Sequence, residues 1–309
     1  MSDVIRIGTR ASRLAIAQST TMAEAVARVT GRPTELVPVS TEGDRNLAPL
    51  TDFGGQGVFV SAVRDALLEG RVDVAVHSLK DLPTAPAAGI SLGAVPPRED
   101  PRDVVVARDG LTLGELPRGS TVGTGSPRRA AQLNALGLGL DVVPIRGNVD
   151  TRIGKVRDGA VDAVLLARAG LARLSRVDEA TEVLDPLQML PAPGQGALAC
   201  ECRDDDVDVL AALTDLDDAP TRAAVTAERS LLATLEAGCS APVGALADVA
   251  LGDDGDELWL RAVVGAVSGV PMIRMSMTGA VEDPVGVGAR LAAEMLADGA
   301  AALVAEATR

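Results

Sequence analysis

Short runs of Val, Ile, Leu and Ala recur along the chain, and most lead through a polar turn into a stretch with helical spacing. Val4 to Gly8, Leu36 to Val39, Val72 to Val76, Ile90 to Val95, Asp103 to Ala107, Thr121 to Gly125, Asp141 to Pro144 and Ala163 to Leu166 read as strands. Helices read from Ser12 to about Val29 and from Val58 to Glu69, with Gly31 and Gly70 placed to end them. Two more open at Ser126-Pro127 and at Thr151-Arg152. Strands that are apolar along their whole length are buried on both faces, so the alternation predicts an α/β fold of parallel sheets covered by helices.

Two segments break the pattern. Pro96-Pro97-Arg98-Glu99-Asp100-Pro101 and Leu190-Pro191-Ala192-Pro193-Gly194-Gln195-Gly196 cannot hold regular structure, and they predict two crossings by which the chain leaves one α/β domain and returns to it. Asp204 to Asp218 reads as an acidic, solvated helix and linker, and Ala219 to Leu235 as a helix ended by Gly238. Strands near Leu258 to Val267 and Met272 to Met277, with a helix near Val287 to Leu296, read as a smaller α+β domain in which Trp259 belongs to the core. With two Phe, one Trp and no Tyr in 309 residues, every core must be built from aliphatic side chains.

Several function classes are disfavoured at once. A net charge of −14 argues against a nucleic-acid partner. No run of about 18 apolar residues predicts a membrane span. The first ten residues carry no basic-then-apolar leader, from which a cytoplasmic protein is expected. Three cysteines, two of them in Cys200-Glu201-Cys202, form neither a disulfide framework nor a metal-ligand spacing, and Cys200 and Cys202 read as small buried hydrophobes.

The chemistry concentrates at strand ends, where open α/β sheets hold ligands. Val72 to Pro83 runs from a buried strand into His77, Ser78, Lys80 and Asp81; His77 is the only histidine, and Lys80 and Lys155 are the only lysines among 29 basic residues. The arginines gather at turns: Arg10 beside Ser12, Arg128 and Arg129 after Ser126-Pro127, Arg146 in Ile145-Arg146-Gly147-Asn148, Arg152 in the next helix, and Arg173. Cations in a helix's first turn oppose its dipole, so Arg128 and Arg129 point to a bound anion that offsets the penalty. Arg10 and Ser12 taken alone read as surface charge and capping.

His77-Ser78-Leu79-Lys80-Asp81, Gly123-Thr124-Gly125-Ser126-Pro127-Arg128-Arg129, Arg146-Gly147-Asn148 with Thr151-Arg152, Pro193-Gly194-Gln195-Gly196-Ala197 and Glu236-Ala237-Gly238-Cys239 occur in an order that closely resembles the porphobilinogen deaminase (hydroxymethylbilane synthase) family. The resemblance implies two periplasmic-binding-protein-like, doubly wound α/β lobes joined by two hinges, plus a small C-terminal α+β domain. The corresponding boundaries are 1–97 with 197–215, then 102–192, then 219–309. It implies a transferase that polymerises four porphobilinogen molecules head to tail with loss of ammonia and releases linear hydroxymethylbilane for tetrapyrrole biosynthesis. One covalent dipyrromethane per chain is implied on Cys239, with no metal.

By matching positions, Asp81 is the catalytic carboxylate. Lys80, Ser126, Arg128, Arg129, Arg146 and Gly147 would hold the cofactor, and Arg10, Ser12, Arg146, Arg152 and Arg173 the substrate. Acetate and propionate groups on every pyrrole suit bidentate arginines. His77 is expected to fix its loop rather than carry protons. Relatives place lysines near the positions of Gln56 and Ser61, where this chain has none, so those contacts are not carried over, although Phe59 keeps its place. A monomer that passes its product to uroporphyrinogen-III synthase is also implied. The rival reading is a non-catalytic two-lobed module that binds anions or small solutes.

Overall fold

The structure, a computed structural model, describes residues 4–40, 60–238, 241–252 and 255–306. Contacts divide the chain into one unit of Met1–Glu99 with Ala197–Arg222 and another of Asp100–Gly196 with Ala223–Arg309. The first two passages between them fall inside the proline-rich segments at 96–101 and 190–196.

The first unit is built on a five-stranded sheet of β1 (Ile5–Arg10), β2 (Thr34–Val39), β3 (Val74–Ser78), β4 (Ile90–Ala94) and β10 (Leu198–Arg203), in the order β2-β1-β3-β10-β4. Helix α1 (Arg13–Thr30) starts where Ser12 Oγ accepts the Ala15 N–H at 3.3 Å, and it ends at Gly31, which takes the left-handed φ of +66°. Helix α2 (Ser61–Leu68) buries Val63, Ala66 and Leu67 on one sheet face. The other face packs Ile5, Ile7, Val74, Val76, Cys200 and Cys202 against α1 and against α6 (Val207–Thr214).

The second unit repeats the plan. Strands β5 (Asp103–Ala107), β6 (Thr121–Gly123), β7 (Asp141–Val143), β8 (Ala163–Ala167) and β9 (Glu182–Val183) line up as β7-β6-β8-β5-β9. Helices α3 (Pro127–Ala135), α4 (Val149–Arg157) and α5 (Arg168–Arg173) follow β6, β7 and β8. The same unit holds a three-stranded antiparallel sheet, β11 (Val243–Gly252), β12 (Gly255–Gly265) and β13 (Met272–Ala280). One face of that sheet is covered by α7 (Ala219–Thr234), α8 (Pro284–Ala297) and α9 (Ala300–Glu306) around a core of Leu, Val, Met and Ala. The architecture is therefore two α/β lobes, each a five-stranded sheet between helices, with a small α+β domain. No helix among the described residues is long and apolar enough to cross a membrane.

Several expectations need correction. The sheets are mixed, not parallel: β10 runs antiparallel to β3 and β4, and β5 antiparallel to β8 and β9. In each lobe the reversed strand is the first one after a crossing, and burial on both faces gives it the same apolar pattern as its parallel neighbours. Strand β10 itself, and β11, have no counterpart in the sequence reading. Strand β3 begins and ends two residues late, which puts His77 and Ser78 inside the sheet.

Helix α4 opens at Val149 with Asn148 as its cap, Oδ1 accepting the Thr151 N–H at 2.9 Å, rather than at Thr151. The acidic stretch 204–218 is not merely solvated, because α6 buries Val209 and Leu213. Trp259 stands on the outer face of its sheet, 41% exposed, with the Arg261 guanidinium 4.3 Å from its ring centroid.

Candidate active site

Parallel strands carry their chemistry to one end. In the first unit Gly8 of β1 lies beside Ala75 of β3, so Arg10, which closes β1, and the turn after β3 reach the same edge of the sheet. That turn, Leu79–Asp81, is a single 3-10 turn. Leu79 is fully buried beneath it, while Lys80 and Asp81 are half-buried. Among the described residues nothing hydrogen-bonds or ion-pairs with the Asp81 carboxylate. Ser12 Oγ caps α1 by accepting the Ala15 N–H.

The strand under Asp81 is pinned from both faces. Gln18 of α1 donates through Nε2 to Ser78 Oγ at 3.0 Å. On the opposite face His77 Nε2 sits 3.3 Å from Glu201 Oε2, close enough for an ion pair but not aligned as a hydrogen bond. Arg64 of α2 donates to both oxygens of the same carboxylate, at 2.7 and 2.9 Å. Burial pushes the Glu201 carboxyl up, but His77 and Arg64 more than offset this and bring it down to about 2. His77 is buried with this partner, which fits the expected structural role. Sequence reading missed Glu201 and Arg64; a glutamate in the middle of the run LACECR is the signal that was there.

The second unit collects the arginines. Ser126 Oγ accepts the Arg129 N–H at 3.5 Å and caps α3. Arg128 and Arg129, which sequence reading placed on an external anion, are 3% and 5% exposed and share an internal carboxylate. Arg128 Nη2 donates to Asp103 Oδ2 and Arg129 Nη2 to Asp103 Oδ1, each at 2.8 Å. Burial would push the Asp103 carboxyl up, and the two guanidinium charges instead hold it well below the usual carboxylate range. Each guanidinium also has a buried Nε without a partner among the described residues. Asp103 was missed; a charged residue heading the apolar run VVVA was its trace.

Arg152 donates from Nε to the Gly147 carbonyl at 2.8 Å, and Gly147 adopts φ +117°, a conformation that favours glycine. Burial, together with the neighbouring charges of Arg129 and Arg146, lowers the Arg152 pKa to about 10. The charges of Arg129 and Arg146 thus both bear on Arg152. Arg146 has no acidic partner among the described residues. Arg173 Nη2 donates to the Gly196 carbonyl at 2.6 Å in the returning segment. Cys239, Gln56 and Phe59 lie outside the described residues, and Ser61 is exposed at the start of α2.

A family model described as "Porphobilinogen deaminase, dipyromethane cofactor binding domain" matches residues 5–211, and one described as the C-terminal domain of porphobilinogen deaminase matches 222–297. The chain belongs to the porphobilinogen deaminase family. Porphobilinogen deaminase 1 of Streptomyces coelicolor is 60% identical over 98% of this chain and 98% of its own. The porphobilinogen deaminase of Mycobacterium tuberculosis is 58% identical over 97% of this chain and 98% of its own. Among solved structures, the methionine-binding protein MetQ aligns with a TM-score of 0.45 and 12% identity over 69% of this chain and 89% of that one, a likeness too loose to carry any argument.

The cofactor of a porphobilinogen deaminase is a dipyrromethane. The residues present fit such a group. Crowded guanidiniums short of carboxylates, two with orphaned buried N–H donors, suit a ligand that brings several carboxylates of its own. Among the described residues no three His, Cys, Asp or Glu gather as metal ligands.

Proposed function

We propose that this chain joins four porphobilinogen molecules head to tail with loss of ammonia and releases linear hydroxymethylbilane, on a dipyrromethane held by a thioether at Cys239. The match at 58–60% identity over nearly the whole chain carries the reading, and the anion-seeking edge of the second unit supports it.

When bound, the dipyrromethane supplies the pyrrole to which the first substrate is joined. Lys80, Ser126, Arg128, Arg129, Arg146 and Gly147 hold its carboxylates and frame. Arg10, Ser12, Arg146, Arg152 and Arg173 hold those of the substrate. Bidentate arginine pairing fixes each ring in position as well as in charge. Asp81 accepts a hydrogen bond from the ammonium group of the substrate, which departs as ammonia. It then faces the positive charge that develops across the pyrrole and takes up the proton lost when the ring regains aromaticity. A carboxylate with no competing hydrogen bond among the described residues is available for all three tasks.

The reading extends to a cytoplasmic monomer whose product passes to uroporphyrinogen-III synthase. Ammonia release from porphobilinogen, measured together with the intact mass of the purified protein, tests it. Ammonia is expected, with a mass one dipyrrole above the 31.5 kDa of the sequence. A protein of bare sequence mass that releases no ammonia would be the solute-binding module instead.

A further inference from the structure

Asp103 is the first residue of β5, immediately past the first crossing, and it is fully buried. Three donors converge on its carboxylate: Arg128 Nη2 on Oδ2, and Arg129 Nη2 and Gln195 Nε2 on Oδ1, the last at 2.7 Å. Gln195 belongs to the returning segment and also donates to the Pro101 carbonyl at 2.7 Å. The remaining η nitrogens are held as well, Arg128 Nη1 by the Leu190 carbonyl and Arg129 Nη1 by the Leu165 carbonyl at 2.9 Å. Both guanidiniums are therefore fixed in plane and in rotation. What each has left is Nε–H, buried and without a partner among the described residues.

A purely internal ion pair would not be built this way. One carboxylate needs one guanidinium, and a second buried cation with an orphaned donor is a cost that apolar side chains would avoid. The charge of Arg129 also reaches Arg152, whose pKa it lowers together with Arg146, so one carboxylate answers more than one cation here. We propose that Asp103 is a positioning residue: it orients Arg128 and Arg129, with Gln195 bracing it, and so sets where their charge acts on the carboxylates of the dipyrromethane. The proposal rests on the reading of those two arginines as cofactor ligands. It adds the residue through which they are set, and it ties that residue to both crossing segments.

The test uses the full-length holoenzyme, with the fraction bearing the dipyrrole counted by intact mass. In Asp103→Asn, kcat per dipyrrole-bearing molecule is expected to fall on the order of 10- to 100-fold with KM for porphobilinogen unchanged, because a misplaced reactant slows the chemistry without weakening the separate substrate contacts. The loss should not multiply with that of Arg129→Leu; a double variant within about twofold of the worse single is the expected result. A variant that melts earlier but keeps kcat per holo-molecule, or losses that multiply, would show a merely structural role and overturn the proposal.

If Asp103→Asn yields no soluble protein, Gln195→Met decides, since it leaves every charge in place. A several-fold fall in kcat at constant KM supports the proposal, and unaltered kinetics overturns it. A wild-type protein without adduct or ammonia release removes the functional reading and this proposal together. An active wild type beside an unimpaired Asp103→Asn removes this proposal alone.

Discussion

Arg64 of α2 donates to both oxygens of Glu201, at 2.7 and 2.9 Å, directly behind the strand that leads into the turn of Asp81. The pair is buried, it spans 137 residues of sequence, and it draws in the only histidine. Removing one member leaves the other charge stranded, so Glu201→Gln is expected to cost about 3–5 kcal/mol at neutral pH. Urea denaturation measures it.

The same pair sets an acid limit. The Glu201 carboxyl sits at about 2 in the folded chain against an ordinary 4.5, so its stabilisation is complete above the higher figure. It is lost as pH falls from there toward the lower one, a loss of roughly 3 kcal/mol. The stability gap between wild type and Glu201→Gln should therefore shrink between about pH 5 and pH 2. A gap that stays constant over that range would contradict the assignment.

Asp81→Asn keeps the shape of the turn and removes the charge. No folded-state bond of the carboxylate is lost among the described residues, so the melting temperature should hold. Turnover, followed as ammonia release, is expected to fall by at least the ~10²-fold typical of an acid–base or electrostatic group.

Arg146→Gln separates binding from folding. Its charge adds to the field that depresses Arg152, and it has no acidic partner among the described residues, so its removal should leave the melting temperature level or raise it. Loss of a charge-assisted bond to a pyrrole carboxylate should raise KM by about 10- to 100-fold. A falling melting temperature at constant KM would make Arg146 structural.

The cysteines should behave differently from one another. Burial pushes the Cys200 thiol up to about 12 and the Cys202 thiol up to about 11, so neither should be alkylated by iodoacetamide in the folded protein at pH 8. Cys239→Ser should remove the dipyrrole from the intact mass and abolish the colour with Ehrlich's reagent, leaving Cys200 and Cys202 unchanged. An adduct that survives the substitution would rule out Cys239 as the anchor.

Much of the fold was legible because it is local. Ser12 and Ser126 cap the helices that their spacing announced, and Gly31 ends α1 in the left-handed conformation its position required. Asn148 displaced Thr151 as a cap because either residue suits a helix start and only the backbone path chooses between them. Strand β10 was not legible: its central Glu201 contradicts an apolar strand until Arg64 and His77 arrive from distant segments. The arginine clusters were visible as anion-seeking turns, whereas the internal acid that holds Arg128 and Arg129 was not.

The sequence alone determined which residues make strands and helices in most of both lobes, that the cores are aliphatic, and that guanidiniums gather at strand ends. Each follows from side-chain volume, periodicity or capping within a few residues. Tertiary structure decided the direction of β5 and β10, the exposure of Trp259, and the pairings of Asp103 and Glu201. Those depend on which distant strand lies alongside and which charge can neutralise another out of water, and such choices are settled only when segments far apart in the chain are buried together.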